Sequence, residues 1–200
     1  MFIDYLTLLL TNLTAGLFLL AYYVLVGIDD NERDAKRWVA PFAMVGLVQF
    51  LWGLHLSLTW PLPGSFNIVF GEASVLFGIL FLGAALALWN GWDLKIVAIY
   101  GVFAGLAAIV MGARLMSLGM TREPVVSGIG FILAGLGGIA AWPTLFMKEN
   151  RPWRVLAAVV LVIAGLLWAQ HAYMSYWGHM KGWAKWTPTT IEYQKMMQSQ

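Results

Sequence analysis

Residues 66–89 read FNIVFGEASVLFGILFLGAALALW and carry a single charged side chain, Glu72. A helix needs roughly 20 apolar residues to cross the hydrocarbon core of a bilayer, so this stretch predicts a membrane-spanning helix. Five further runs have the same character, and the full set is about 5–27, 39–60, 66–89, 95–119, 125–147 and 155–177. The sequence therefore predicts an all-α fold, a polytopic membrane bundle of six helices.

The composition of the whole chain agrees with this class of protein. Of its 200 residues, 60% are hydrophobic and only 11% are charged, which is typical of polytopic membrane proteins and not of soluble domains. We expect a single transmembrane domain over residues 1–180 and a tail on the outer face over residues 181–200. The acidic N-terminus predicts that the first helix is retained and is not a signal peptide. Without cysteine the sequence excludes disulfides and thiolate metal sites, and no basic tract indicates nucleic acid.

The distribution of cationic residues predicts the orientation of the helices. Most of them lie in the loops between helices 1 and 2, 3 and 4, and 5 and 6: Arg33, Lys36, Arg37, Lys95, Lys148, Arg151 and Arg154. Cytoplasmic loops of membrane proteins are enriched in Lys and Arg. We therefore expect the loop 29–37 in the cytoplasm and both termini on the outer side.

A polar motif recurs near the ends of two apolar helices. Its copies are Trp52…His55…Thr59 and Trp168…His171…Ser175, with a looser copy at Met111…Arg114 and Ser117. Ionisable side chains inside a membrane are costly and are functional-site candidates by default. The nearly even spacing of the copies predicts three repeated helical hairpins.

Four ionisable side chains are predicted to lie at one depth in the membrane. With a helical rise of about 1.5 Å per residue, His55, Glu72, Arg114 and His171 should each lie roughly 7–9 Å below the outer boundary. Because Glu72 and Arg114 belong to consecutive antiparallel helices, we expect an ion pair between them. This pair would either join helices 3 and 4 or line a pore.

The two histidines have three interpretations. They can be hydrogen-bonded residues near the interface, or proton-responsive residues of a pore, because an ordinary imidazole titrates near pH ~6.5. Alternatively they bind metal, as axial ligands of haem b or in a copper site whose further candidate ligands are Met116, Met120, Met174, His179 and Met180. Methionine in an apolar helix is more often a packing residue, so no metal or cofactor is predicted.

Three more side chains complete the predicted site. Trp52 and Trp168 precede the histidines by one turn, and either pack in the bundle or form the aromatic walls of a cavity. Asn67 is either a helix cap or a hydrogen-bonding group at the mouth of a vestibule. Glycines in helices 4 and 5, among them Gly101 and Gly105, predict close helix contacts and favour an oligomer.

The stretch Phe66-Asn-Ile-Val-Phe-Gly-Glu72, with Leu76-Phe-Gly78 and the six-helix layout, resembles a prokaryotic membrane family, domain of unknown function nine hundred and eighty-one. This resemblance implies a multi-pass protein of the prokaryotic plasma membrane. More distantly, residues 76–93 and 151–153 are similar to segments of the urea/amide channel family. That similarity implies three hairpins around a pore, although helix 6 has no carboxylate where that family carries a glutamate.

These observations favour a channel or facilitator for a small polar solute, with the polar layer lining its outer vestibule. Two alternatives stay open: a metal- or haem-binding redox subunit of a larger membrane complex, and a purely structural subunit. The sequence shows no nucleophile–base arrangement and no catalytic carboxylate pair at helical spacing, which argues against an enzyme. We expect the lipid bilayer, and either identical copies or other membrane subunits, as partners.

Overall fold

The computed structural model describes residues 4–184 and 197–199. Within these residues the chain forms helices and no strands, which confirms the all-α class. Six helices are long and apolar enough to cross a membrane. They are α1 (Tyr5–Gly27), α2 (Glu32–Thr59), α3 (Asn67–Asn90), α4 (Leu94–Leu118), α5 (Pro124–Phe146) and α6 (Arg151–Gly182).

The first two helices change their hydrogen-bonding pattern near the loop that joins them. α1 is α-helical over Tyr5–Tyr22 and π-helical over Tyr23–Gly27. α2 begins with short turns at Glu32–Ala35 and Lys36–Trp38 and continues as a regular α-helix over Val39–Thr59. Much of the charged loop predicted between helices 1 and 2 is therefore helical.

Local residue types set the limits of α3 and the start of α4. α3 begins π-helical over Asn67–Glu72 and is α-helical over Ala73–Asn90. It ends at Gly91, whose φ of 70° lies in the left-handed region that glycine favours. Asp93 then caps α4 by accepting a hydrogen bond from the backbone N–H of Lys95. A glycine and an aspartate thus produce the short turn between these two helices.

The six helices form a closed ring. Each packs against its neighbours in sequence, and α6 packs against α1. The most extensive contacts join α2 to α3, α4 to α5 and α6 to α1, and these pairs alternate with looser contacts. The two helices of each predicted hairpin, which a short loop joins, therefore contact each other less extensively than they contact the helices of the neighbouring hairpins. The alternation recurs three times around the ring, as a threefold arrangement of hairpins requires.

Glycines explain the close approach of α4 and α5. A Cβ atom added to Gly135 would lie 2.5 Å from the carbonyl oxygen of Gly105, and one added to Gly112 would lie 2.7 Å from that of Gly128. These gaps are too small for any side chain, so glycine is required for the backbones to come this close. The close helix contact predicted from Gly101 and Gly105 is confirmed.

The two ends of the ring are formed by different loops. Because six spans are present, the start of α1 and the end of α6 lie at the same end, together with the loops 60–66 and 119–123. We call this end the terminal face. The opposite end, which we call the charged face, holds the loops 28–31, 91–93 and 147–150. Which face lies outside the cell stays a prediction from the cationic residues.

α6 extends to Gly182, about one turn beyond its predicted end. The added turn contacts the start of α1: the Nδ1 atom of His179 lies 3.0 Å from a carboxylate oxygen of Asp4 and 3.2 Å from the hydroxyl of Thr7. These contacts explain why the helix continues past the apolar run. Most of the tail predicted beyond residue 180 lies outside the described residues.

Candidate functional site

The ring encloses a series of three cavities. The first has a volume of about 80 Å³ and is lined by residues from all six helices. The second, of about 90 Å³, lies closer to the charged face, and the third, of about 350 Å³, opens among the loops of that face. Neighbouring cavities share wall residues, which are Leu20, Leu80, Phe81 and Gly138 for the first two, and Tyr23, Ile28, Leu94 and Leu145 for the second and third. The cavities therefore lie next to each other between the middle of the ring and the charged face.

The wall of the first cavity is mainly apolar. Leucine and phenylalanine side chains form most of it, while Gln49 supplies an amide and Ser74 a hydroxyl. Trp168 also lines the cavity, and its buried indole N–H has no hydrogen-bond partner among the described residues. A buried donor left without a partner is costly. The cavity wall thus combines a hydrophobic surface with a few groups that form hydrogen bonds.

A chain of hydrogen bonds beside this cavity crosses three helices. Asn12 on α1 donates to the side-chain oxygen of Gln49 on α2 at 2.8 Å, and Gln49 donates to the hydroxyl of Ser74 on α3 at 3.0 Å. Asn12 also donates to the carbonyl oxygen of Val45 at 2.9 Å. The sequence reasoning missed Gln49. Its signal was available, because Gln49 is the only amide side chain in the apolar run of helix 2.

His171 belongs to a polar cluster near the terminal face. Its Nε2 atom lies 3.2 Å from the hydroxyl of Ser127, and its Nδ1 atom lies 2.9 Å from the carbonyl oxygen of Leu167. The Ser127 hydroxyl also lies 3.0 Å from that of Thr121, and a carboxylate oxygen of Glu123 is 3.8 Å from Nε2. The carbonyl requires a proton on Nδ1, so in the neutral ring Nε2 accepts from Ser127. This hydroxyl–imidazole pair was not predicted, because its members lie on different helices.

His55 is surrounded by aromatic rings. Its imidazole meets Tyr5 edge-on with ring centres 5.4 Å apart, and Trp52 with ring centres 5.8 Å apart. Trp52 also stacks against Tyr5 at 6.3 Å. The hydroxyl of Thr59 donates to the backbone carbonyl of His55 at 2.7 Å and not to its ring. The third residue of the recurring motif therefore bonds its own helix here.

The ion pair predicted between Glu72 and Arg114 does not form. Among the described residues, ion pairs join Arg37 to Asp30 and Arg154 to Asp29, and the carboxylates of Glu123 and Asp4 lie beside the rings of His171 and His179. Glu72 and Arg114 are both exposed, and the hydrogen-bond partner of the Arg114 guanidinium is Ser117, at 3.4 Å. The prediction was wrong because depth along a helix does not reveal the direction in which a side chain points. The predicted layer is thus divided between the end of the ring and its outer surface.

Asn67 is fully buried and holds the loop that precedes α3. Its side-chain oxygen accepts a hydrogen bond from the N–H of Leu62 at 2.9 Å, and its amide group donates to the carbonyl oxygens of Leu62 and Gly64. It forms no helix-capping hydrogen bond and lies outside the walls of the three cavities. Asn67 therefore does not cap α3, and its role at the mouth of a vestibule stays a prediction.

Arg154 is buried at the charged face. The sequence analysis placed it among the cationic residues of the loops. Its guanidinium donates to the carbonyl oxygens of Val24 at 2.8 Å and Leu25 at 2.7 Å, and forms a 2.6 Å ion pair with Asp29. The carbonyls at the end of a helix lack partners within it. Arg154 donates hydrogen bonds to two of these carbonyls and thereby attaches α6 to α1.

Several of the candidate metal ligands have other contacts. In the part of the chain that the structure describes, no three His, Asp or Glu side chains are placed to hold a metal ion. His179 is held by Asp4, Met116 lies against Gly128, and Met174 is exposed. Both ring nitrogens of His171 already contact protein groups. The Nε2 atom of His171 could bind haem iron or copper only if its contact with Ser127 were replaced, whereas the hydrogen bond from Nδ1 to Leu167 could remain.

The family described as "Protein of unknown function (DUF981)" matches residues 1–182 of the chain. The chain belongs to this family. The match covers all six spanning helices, and it confirms the recognition based on the stretch 66–72. No curated protein and no solved structure matches the chain. The similarity to urea/amide channels therefore remains an expectation from the sequence.

The part of the chain that matches the DUF981 family contains every feature described above. The cavity walls, the hydrogen-bonded chain through Gln49 and the clusters around His55 and His171 all lie within residues 1–182. The family match thus covers a complete helical ring with its axial cavities.

Proposed function

We propose that this membrane protein is a channel or facilitator for a small, uncharged polar solute, which crosses along the axis of the ring. The observation that carries the proposal is the series of three cavities between the middle of the ring and the charged face. An isolated structural subunit has no need of such a path, since its helices could pack directly against each other.

The chemistry of the walls supports an uncharged solute. An ion that enters a pore must exchange its water shell for polar groups of the wall. The first cavity offers only a few such groups, among them Gln49 and Ser74, on a mainly apolar surface. An uncharged amide or a similar molecule needs fewer hydrogen bonds than an ion, so its passage costs less free energy.

Aromatic rings form the end of the first cavity nearest the terminal face. The rings of Phe70 and Phe131 have centres 5.7 Å apart, and those of Phe131 and Trp168 have centres 5.1 Å apart. We assign these rings to the constriction. The ring centres of His171 and Trp168 are 5.8 Å apart. We assign His171, together with His55, to the entrance beyond the constriction. Protonation of these imidazoles would then make flux depend on pH.

Solute flux into liposomes tests the proposal. The purified protein is reconstituted, and the uptake of urea and short amides is measured between about pH 5 and pH 8, the range of imidazole titration. We expect uptake faster than in protein-free liposomes. Uptake at the protein-free rate would exclude these solutes.

A matched pair of variants tests whether the solute uses the axial path. Ala104 on α4 lines the first cavity, whereas Ala107 on the same helix lies outside the walls of the three cavities. Ala104→Phe should reduce uptake to the protein-free rate because it fills the cavity, and Ala107→Phe should leave uptake unchanged. Equal uptake by two well-folded variants would show that the path lies elsewhere.

A further inference from the structure

Two opposite charges lie on the outer surface of neighbouring helices. On α3, Glu72 is exposed in line with Ile79 and Leu86, which are exposed as well. On α4, Arg114 is exposed four residues after the exposed Val110. Rows of exposed apolar side chains on a membrane-spanning helix face lipid or another membrane protein. Both charges therefore lie on a surface that is otherwise suited to an apolar environment.

Neither charge has a counter-ion among residues 4–184 and 197–199, which the structure describes. The ion pairs formed by the described residues involve other side chains, and Arg114 reaches only the hydroxyl of Ser117, at the long distance of 3.4 Å. Charged groups within a membrane are nearly always placed against a partner or a water-filled cavity. Glu72 and Arg114 are absent from the walls of the three cavities. The described residues therefore leave both charges to be neutralised by another group.

Depth limits which group this can be. Glu72 lies six residues after Phe66 and Arg114 five residues before Gly119, so both lie roughly 7–9 Å below the boundary at the terminal face. Identical chains in one membrane are related by rotation about an axis along the membrane normal, and such a rotation leaves depth unchanged. Glu72 of one copy and Arg114 of another are therefore at the right level to meet.

We propose that α3 and α4 form the interface between two copies of this chain, joined by ion pairs between Glu72 and the partner's Arg114. A two-fold axis that passes between α3 and α4 places α3 of each copy against α4 of the other, and so forms both ion pairs at once. The small side chains of Ala113 and Ser117 beside Arg114 permit a close approach. The interface lies on the outside of the ring and is independent of whether the axial cavities conduct a solute.

Charge reversal provides the test. The E72R chain carries two cations on this surface and the R114E chain carries two anions, so each repels its own copies, while a mixture of the two restores both ion pairs. The two chains carry different affinity tags. Association is measured by native mass spectrometry in detergent, by counting photobleaching steps in vesicles of zwitterionic lipid, and by capture of one tag with the other.

We expect the wild-type protein to form dimers, and each variant alone to self-associate at least about tenfold more weakly. Association should recover when the two variants are mixed. M174R is the control, because Met174 is exposed near the terminal face on α6, away from the proposed interface. It should associate as the wild type does. If M174R weakens association as much as E72R, the effect is not specific to this surface and the proposal fails.

Three other results would also overturn the interface. They are a monomeric wild-type protein, single variants that associate as the wild type does, and a mixture that stays monomeric. Wild-type association that requires anionic lipid, with no recovery in the mixture, would instead assign Arg114 to lipid phosphates.

If charge reversal prevents folding, as judged by gel filtration and thermal unfolding, the variants E72Q and R114Q are used in its place. Each must then weaken association, and the double variant must weaken it by less than the sum of the two effects.

Discussion

Gly105 on α4 and Gly135 on α5 contact each other backbone to backbone. A Cβ atom on Gly135 would lie 2.5 Å from the carbonyl oxygen of Gly105. Because the contacted atom belongs to the backbone, no change of side-chain rotamer can relieve the clash. Glycine at both positions thus allows the short distance between α4 and α5.

Gly135→Ala should therefore lower the stability of the protein. The added methyl group forces α4 and α5 apart, and overpacking of this kind costs about 1–3 kcal/mol. Thermal unfolding in detergent measures the effect. Gly83→Ala is the control, because a Cβ atom there would meet its nearest neighbour, Val97, at an ordinary 3.5 Å. A Gly135→Ala variant as stable as Gly83→Ala would contradict the close contact.

Arg154→Gln should detach α6 from the end of α1. The substitution removes the donors to the carbonyls of Val24 and Leu25 and the ion pair with Asp29. Asp29 is half exposed, so most of the expected loss of about 2–3 kcal/mol comes from the carbonyls left without partners. Chemical unfolding in detergent measures it. The exposed neighbour Arg151, changed to glutamine, should alter stability by less than about 0.5 kcal/mol.

Asn67→Ala should loosen the loop 60–66. The loop would lose three hydrogen bonds, made with backbone groups of Leu62 and Gly64, at a cost of about 1–3 kcal/mol. The rate of limited proteolysis within the loop should rise. Asn90→Ala, which removes one exposed hydrogen bond to the carbonyl of Leu86, should leave that rate unchanged. An unaltered cleavage rate in Asn67→Ala would show that other contacts hold the loop.

Leu80→Ala should increase solute flux if the axial path is used. Leu80 lies in the walls of both the first and the second cavity, so a shorter side chain removes part of the wall between them. Leu86→Ala removes the same atoms from the exposed side of α3 and should leave flux unchanged. Because replacing a half-buried leucine such as Leu80 by alanine lowers stability, both variants are compared well below their unfolding temperatures. Flux that does not rise in folded Leu80→Ala would argue against this path.

Much of the fold could be predicted because a bilayer imposes a simple rule on the sequence. Backbone groups inside the membrane must be hydrogen-bonded within a helix, and the helix must be apolar over the thickness of the hydrocarbon. The six runs and most of their limits follow from this rule, although α2 begins at Glu32, before its apolar run. α6 departs from it at its end, because the turn that carries His179 is stabilised by Asp4 and Thr7 and not by hydropathy.

The candidate site could be predicted less well, since depth can be counted along a helix but direction cannot. In a soluble helix the polar side indicates solvent, whereas here the side that faces lipid and the side that faces the ring are both apolar. The apolar pattern around Glu72 and Arg114 was therefore compatible with inward and outward directions. The structure turns both charges outward, and the sequence contained no signal that could have excluded this.

The sequence by itself determined the membrane class, the six spans and the family. Only the tertiary structure decided which of the polar side chains meet. Ser127 contacts His171 across two helices, and Gln49 joins Asn12 to Ser74 across three. Such contacts depend on how each helix is rotated within the ring. That rotation results from packing of the glycine-rich and leucine-rich faces as a whole, which no local pattern in the sequence encodes.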